Sequence, residues 1–102
     1  MSVISVTSTD NFNEYLANNK YVFVDFYATW CKPCKRIKPD IKLLASHYNI
    51  PFIKVDVERI PSITKKYQIK GMPTFILFKD QSPYGKVVGA DIEEVKNLLQ
   101  MI

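Results

Sequence analysis

Soft metal ligands are scarce in this chain: its 102 residues hold two cysteines and one histidine. A structural zinc site takes four ligands, usually Cys or His. Cys31, Cys34 and His47 would have to recruit carboxylates or a second subunit, so no metal is expected. No apolar stretch approaches the ~20 residues that span a bilayer, and Met1-Ser2-Val3-Ile4-Ser5 lacks the basic start and apolar run of a secretory leader. The expectation is a cytoplasmic protein with no membrane partner, a processed organellar form being the alternative. The formal charge of +4 is modest. Solvated lysine faces account for it, and with no recognisable motif a nucleic-acid partner is not expected. Repeats, low-complexity tracts and long linkers are absent, and 47% hydrophobic residues are enough for one core, so residues 1–102 read as a single domain.

What is present is a placement. Trp30-Cys31-Lys32-Pro33-Cys34 directly follows the apolar run Tyr21-Val22-Phe23-Val24-Asp25-Phe26-Tyr27, which puts both cysteines where a strand feeds a helix. Two intervening residues set the thiols one helical turn apart, close enough to close a disulfide without unwinding the backbone. Free N–H groups at a helix start favour a thiolate on the first cysteine. A purely structural disulfide is a weak alternative, because so short a loop removes little entropy from the unfolded chain. The pattern reads as a dithiol redox centre.

The rest of the chain alternates. Val3–Val6 reads as a short strand. Ser8 or Thr9 caps a helix burying Phe12, Tyr15 and Leu16. Tyr21–Tyr27 has the β-branched and aromatic content of a central strand buried on both faces. In the helix after the cysteines, Ile37, Ile41, Leu44, Ala45 and Tyr48 recur at helical spacing, Lys35, Lys38 and Lys42 fall on the other side, and Pro39 predicts a kink. Phe52–Val57 is a strand, and Pro61 opens a short helix carrying Ile63 and Tyr67, which Gly71 ends. Thr74–Phe78 and a short Lys86–Val88 are the last strands, joined by a loop from Asp80 to Gly85. A final helix starts at Asp91, with Glu94 completing a capping-box-like start, and buries Ile92, Val95, Leu99 and Ile102. The order βαβαβαββα implies a mixed sheet covered by helices on both faces.

These residues carry a resemblance to the thioredoxin family over nearly the whole chain. Val24 to Lys35 looks like its active-site segment, and Pro39 like the proline of its kinked helix. Gly71-Met72-Pro73-Thr74 resembles its substrate loop, and Val88-Gly89-Ala90 its last turn. The resemblance implies an α/β thioredoxin fold, a five-stranded mixed β-sheet flanked by four α-helices, with a cis peptide before Pro73. It also implies reduction of protein disulfides through Cys31 and Cys34, without a cofactor. The implied partners are disulfide-containing proteins and a thioredoxin reductase or equivalent electron donor, with the chain acting as a monomer. Lys32 stands where the family has glycine, Tyr27 where many members have a second tryptophan, and Gln81-Ser82-Pro83-Tyr84 replaces the usual glycine turn.

Each site residue then has a role and an alternative. Cys31, at an exposed helix start, is the expected nucleophile, with its thiolate favoured below the free-cysteine pKa of ~8.5. Cys34, one turn inside, is the resolving thiol, and Pro33 limits the conformations between them. Asp25 is anomalous among apolar neighbours: either it is buried and partly protonated near neutrality, or it sits at a strand edge reaching water or pairing with Lys54. The resemblance favours a proton acceptor for Cys34, with Lys54 as charge partner. Met72, Pro73 and Gly89 are expected to bind an extended substrate segment. Trp30 forms the rim of that surface, or else a core residue. Lys32 and Lys35 lie near the thiolate, whereas a solvated face accounts for Lys38 and Lys42. Two other functions remain open: a disulfide oxidase or isomerase, since Lys32 favours the reduced form, and an interaction subunit with incidental redox activity.

Overall fold

The computed structural model describes residues 2–102. Five strands and four helices alternate: β1 (Val3–Val6), α1 (Thr9–Asn18), β2 (Tyr21–Tyr27), α2 (Lys32–Ala45), β3 (Phe52–Asp56), α3 (Pro61–Lys66), β4 (Thr74–Lys79), β5 (Ser82–Val88) and α4 (Ile92–Leu99). The sheet order is β1-β3-β2-β4-β5. β3 lies parallel to β1 and β2, and β4 runs antiparallel to β2 and β5, so the sheet is mixed as expected.

The period-2 alternation of β2 divides the interior in two. Val22, Val24 and Phe26 face a core that includes Phe12, Leu16 and Ile63 from α1 and α3. Phe23 faces the opposite core with Ile37, Ile41 and Ala45 of α2 and Val95, Leu98 and Leu99 of α4. Asp25 shares the second face by the same alternation, so the sequence installs a carboxyl where a core side chain would otherwise meet α2. Its register partners are Lys54 on β3 and Phe75 on β4.

Ser8 is the N-cap of α1, its side chain accepting from the Asn11 N–H, which leaves Thr9 as the first helical residue. α2 continues through Pro39. β5 is longer than Lys86–Val88, because the expected loop closes in two residues. Asp80 and Gln81 take φ of 51° and 70°, the left-handed pair that matches strand twist in a tight hairpin. Pro83 then fits within an edge strand, at a register irregularity opposite Leu77 and Phe78. On α4, Asp91 Oδ1 accepts from the N–H groups of Glu93 and Glu94. Leu98 is buried where the sequence pattern named Ile102, which is 44% exposed beyond the helix end.

Candidate active site

β2 ends at Tyr27, and the chain turns through Ala28-Thr29-Trp30 into α2. The Cys31 N–H donates to the Ala28 carbonyl at 3.2 Å, fixing the turn. Cys31 is the N-cap of α2, with φ −80° and ψ 111°, and its Sγ accepts a hydrogen bond from the Cys34 N–H at 3.2 Å. Sulfur thus occupies the place that a serine or aspartate oxygen takes at most helix starts. A negative charge there meets an unpaired amide and the positive end of the helix dipole. Pro33 in the first turn has no N–H to leave unpaired and carries a helical φ in advance.

Cys31 and Cys34 form a disulfide, with Cα atoms 5.3 Å apart. The expected exposure of Cys31 is corrected: in this state Cys31 is 4% exposed and Cys34 8%. The bond that makes Cys31 a cap turns its sulfur back toward the helix and the core around Ala28. Trp30 lies outside. It is 62% exposed, which removes the core reading, and its indole N–H donates to Glu58 Oε1 at 3.1 Å. Glu58 gave no sequence signal, since nothing in its spacing ties it to a residue 28 positions earlier.

In a second segment, Met72 packs against the core cluster that includes Cys31 and Cys34. The Met72–Pro73 peptide is cis. The Thr74 hydroxyl donates to the Gly71 carbonyl at 2.5 Å, and the Gly89 N–H donates to the Pro73 carbonyl at 2.8 Å. Gly89 adopts φ +105°, a conformation L residues avoid, and a Cβ there would meet nothing within 4 Å. Gly89→Ala therefore isolates backbone strain. It should lower stability by about 1–2 kcal/mol, read as a shifted urea midpoint with unchanged slope.

Behind the disulfide lies a cavity of about 520 Å³, lined by Cys34, Asp25, Lys54 and Tyr27 among others. Burial pushes the Asp25 carboxyl up to about 7, against an opposing pull from Lys54. The strand-edge alternative fails, because β2 is central. Direct pairing with Lys54 fails too: the ion pair present among the described residues is Lys96–Glu93. The Lys54 ammonium instead stands 5.5 Å from the centre of the Tyr27 ring. Asp25 is partly accessible through the cavity, which gives its proton a route to water despite the apolar surroundings. Burial, followed by Asp56 and Asp25, raises the Tyr27 hydroxyl above its ordinary value and keeps it protonated. Lys38 and Lys42, read from sequence as a plain solvated face, line the same cavity with Lys35.

Comparisons with known proteins agree along the chain. The thioredoxin family model matches residues 3–102. Thioredoxin-2 of Pyricularia oryzae is 40% identical over 97% of this chain and 58% of its own length. Mitochondrial thioredoxin-3 of Saccharomyces cerevisiae is 38% identical over 88% of this chain and 72% of its own. The solved thioredoxin of Plasmodium falciparum superimposes with a TM-score of 0.94 at 39% identity, covering 97% of this chain and 98% of that one.

Proposed function

Because the chain belongs to the thioredoxin family, we propose that it works as a protein-disulfide reductase in which Cys31 attacks and Cys34 resolves. The observation that carries this reading is the Cys31–Cys34 disulfide closed at a helix start, with Cys31 Sγ held by a backbone amide. In the dithiol form, the Cys31 thiolate attacks one sulfur of a substrate disulfide. An S–S bond forms between enzyme and substrate, and the other substrate sulfur leaves as a thiolate. Cys34 then loses its proton and attacks Cys31 Sγ. The intramolecular disulfide closes and the second substrate thiol is released. An external dithiol donor, by its family a thioredoxin reductase or equivalent, returns two electrons to restart the cycle.

Asp25 takes the Cys34 proton through cavity water, supported by the cavity that the two residues share. Lys54 lowers the cost of the charge Asp25 then carries. Trp30, Met72, Pro73 and Gly89 form the surface for an extended substrate segment, supported by the Gly89–Pro73 hydrogen bond that joins the two loops. Residues 1–102 act as one domain and as a monomer. No helix of the described residues is long and apolar enough to cross a membrane, and a cytoplasmic location is our reading.

Equilibration against glutathione, followed by turnover with a disulfide-bonded protein, tests the function. A pair that equilibrates but supports no turnover refutes the reductase and leaves an interaction subunit. A potential in the oxidising range, with net formation of substrate disulfides, makes the chain an oxidase.

Lys32, the first residue of α2, sets the poise. Its ammonium opposes the helix dipole, at a typical cost of ~0.3–1 kcal/mol, yet favours the adjacent thiolate. Stabilising the reduced state by ~1.4 kcal/mol raises the potential by about 30 mV. Lys32→Met, which keeps length and removes charge, should raise the Cys31 titration and lower the potential by up to that amount at low salt, less at high salt. Unchanged values in the glutathione equilibrium would make Lys32 an ordinary surface residue.

A further inference from the structure

Of the lysines that line the cavity behind Cys34, the proposed exchange uses Lys54 and leaves the three on α2 without a role. Lys35, Lys38 and Lys42 recur at i, i+3 and i+7, which stacks them on one stripe of α2. Lys54, on β3, lines the same cavity. Four lysines therefore line one cavity whose single acidic residue, Asp25, is only partly ionised near neutrality. Among the described residues none of the four lies within 4.0 Å of a carboxylate, since the ion pair present is Lys96–Glu93. Neighbouring acids are turned elsewhere. Asp40 lies two residues from both Lys38 and Lys42, on the far side of α2. Asp56 Oδ1 accepts the Glu58 N–H.

Four positive charges around one cavity favour an anion there. Between the lysines the wall is apolar, made by Val3, Tyr27, Ala28 and Ile41. A volume of about 520 Å³ suits a small organic molecule better than a bare ion. Lysines bind phosphate as point charges, without the fork geometry that arginine brings to carboxylates. The Lys54 ammonium lies 5.5 Å from the centre of the Tyr27 ring, within cation–π range.

We propose that this cavity is a binding site for a small organic phosphate with an apolar or aromatic body, its phosphate among Lys35, Lys38, Lys42 and Lys54 and its body against Tyr27 and Ile41. An occupant shares the cavity with Asp25 and Cys34 and displaces the water between them, so it slows the resolving step. That consequence rests on the roles proposed above, whereas binding itself does not.

The test uses the full chain in its disulfide form, ¹⁵N-labelled and titrated with 1-naphthyl phosphate, 1-naphthol and inorganic phosphate in turn. Naphthyl phosphate should give saturable amide shifts at Val3, Asp25, Tyr27, Lys38 and Lys54, with affinity about tenfold or more above either fragment. The double variant Lys38→Gln/Lys42→Gln should weaken it by about tenfold, while Lys65→Gln/Lys66→Gln on α3, with the same change in net charge, should leave it unaltered. Both pairs are exposed, and the amide spectrum of each variant reports its fold directly. Shifts spread over all basic surfaces, equal weakening by the two double variants, or no saturable shift at cavity residues would each overturn the proposal. Naphthol binding as tightly as naphthyl phosphate would show an apolar pocket with no use for its lysines, and would overturn it as well. Because no turnover is measured, a failed reductase assay and a failed binding experiment are separately visible.

Discussion

Cys31→Ser should abolish disulfide exchange, whereas Cys34→Ser should still attack substrate and then stop, accumulating a covalent enzyme–substrate disulfide. The asymmetry follows from one hydrogen bond. Sγ of Cys31 accepts the Cys34 N–H at the start of α2. An amide and the helix dipole thus favour negative charge on that sulfur, and thiolate is the attacking species. Cys34 lies within the first turn of the helix, lines the cavity with Asp25 and, among the described residues, has no such cap on its own sulfur. Serine at position 31 keeps the N-cap but is a far weaker nucleophile, so turnover should fall to background. Serine at position 34 removes only the second attack, and with a disulfide-bonded protein should leave a species separable under non-reducing conditions and released by added dithiol. Equal trapping by both single variants would refute the division of roles. So would trapping by Cys31→Ser alone, which would make Cys34 the nucleophile.

What could be read from the sequence tracks how local each determinant is. The β2 run, the Cys-x-x-Cys at its end and the helical spacing of Ile37, Ile41 and Ala45 are determined within a few residues. The structure places these elements where the pattern did. The β4–β5 hairpin is legible as two strands, but its turn is not: Asp80 and Gln81 take left-handed backbone that neither residue type announces as glycine does, so a two-residue turn reads as a six-residue loop. The burial of Cys31 depends on which way a sulfur turns once the disulfide closes, and helix position alone does not say. The helical spacing puts Lys38 and Lys42 on the polar side of α2, where both are exposed. Only the tertiary arrangement, with β3 bringing Lys54 to the same cavity, turns that side into a cavity wall. The Trp30–Glu58 contact joins two loops through no periodicity at all.

Asp25 lies between these cases: a carboxyl in an apolar strand is an anomaly on sequence alone, and the neighbours that bury it are tertiary. It yields a prediction in stability as well as rate. Burial holds its carboxyl near about 7 in the folded protein, while in the unfolded chain it titrates near ~3.9. Below ~3.9 both states are protonated and Asp25 contributes no pH dependence. Between that value and 7 the native state keeps a proton the unfolded state has lost, so stability falls as pH rises, and above 7 the full penalty is present. A shift of about three units corresponds to roughly 4 kcal/mol, and water reaching the carboxyl through the cavity brings the expected penalty to on the order of 2–4 kcal/mol. Asp25→Asn removes the ionisable group without changing its size. Its advantage over the parent in urea unfolding should be small at pH 4, grow to neutrality and level off by pH 8 at that magnitude. The same substitution removes the acceptor for the Cys34 proton. Above neutral pH, release of the mixed disulfide should slow by roughly tenfold to a hundredfold, at or below the low end of what a general base contributes, because the proton passes through water. First attack by Cys31, which does not need Asp25, should keep its rate. A variant less stable than the parent at pH 8, or a gap that does not change with pH, would mean the carboxyl is solvated in the folded state. Unchanged release with the predicted stability gain would leave Asp25 buried but send the Cys34 proton directly to solvent.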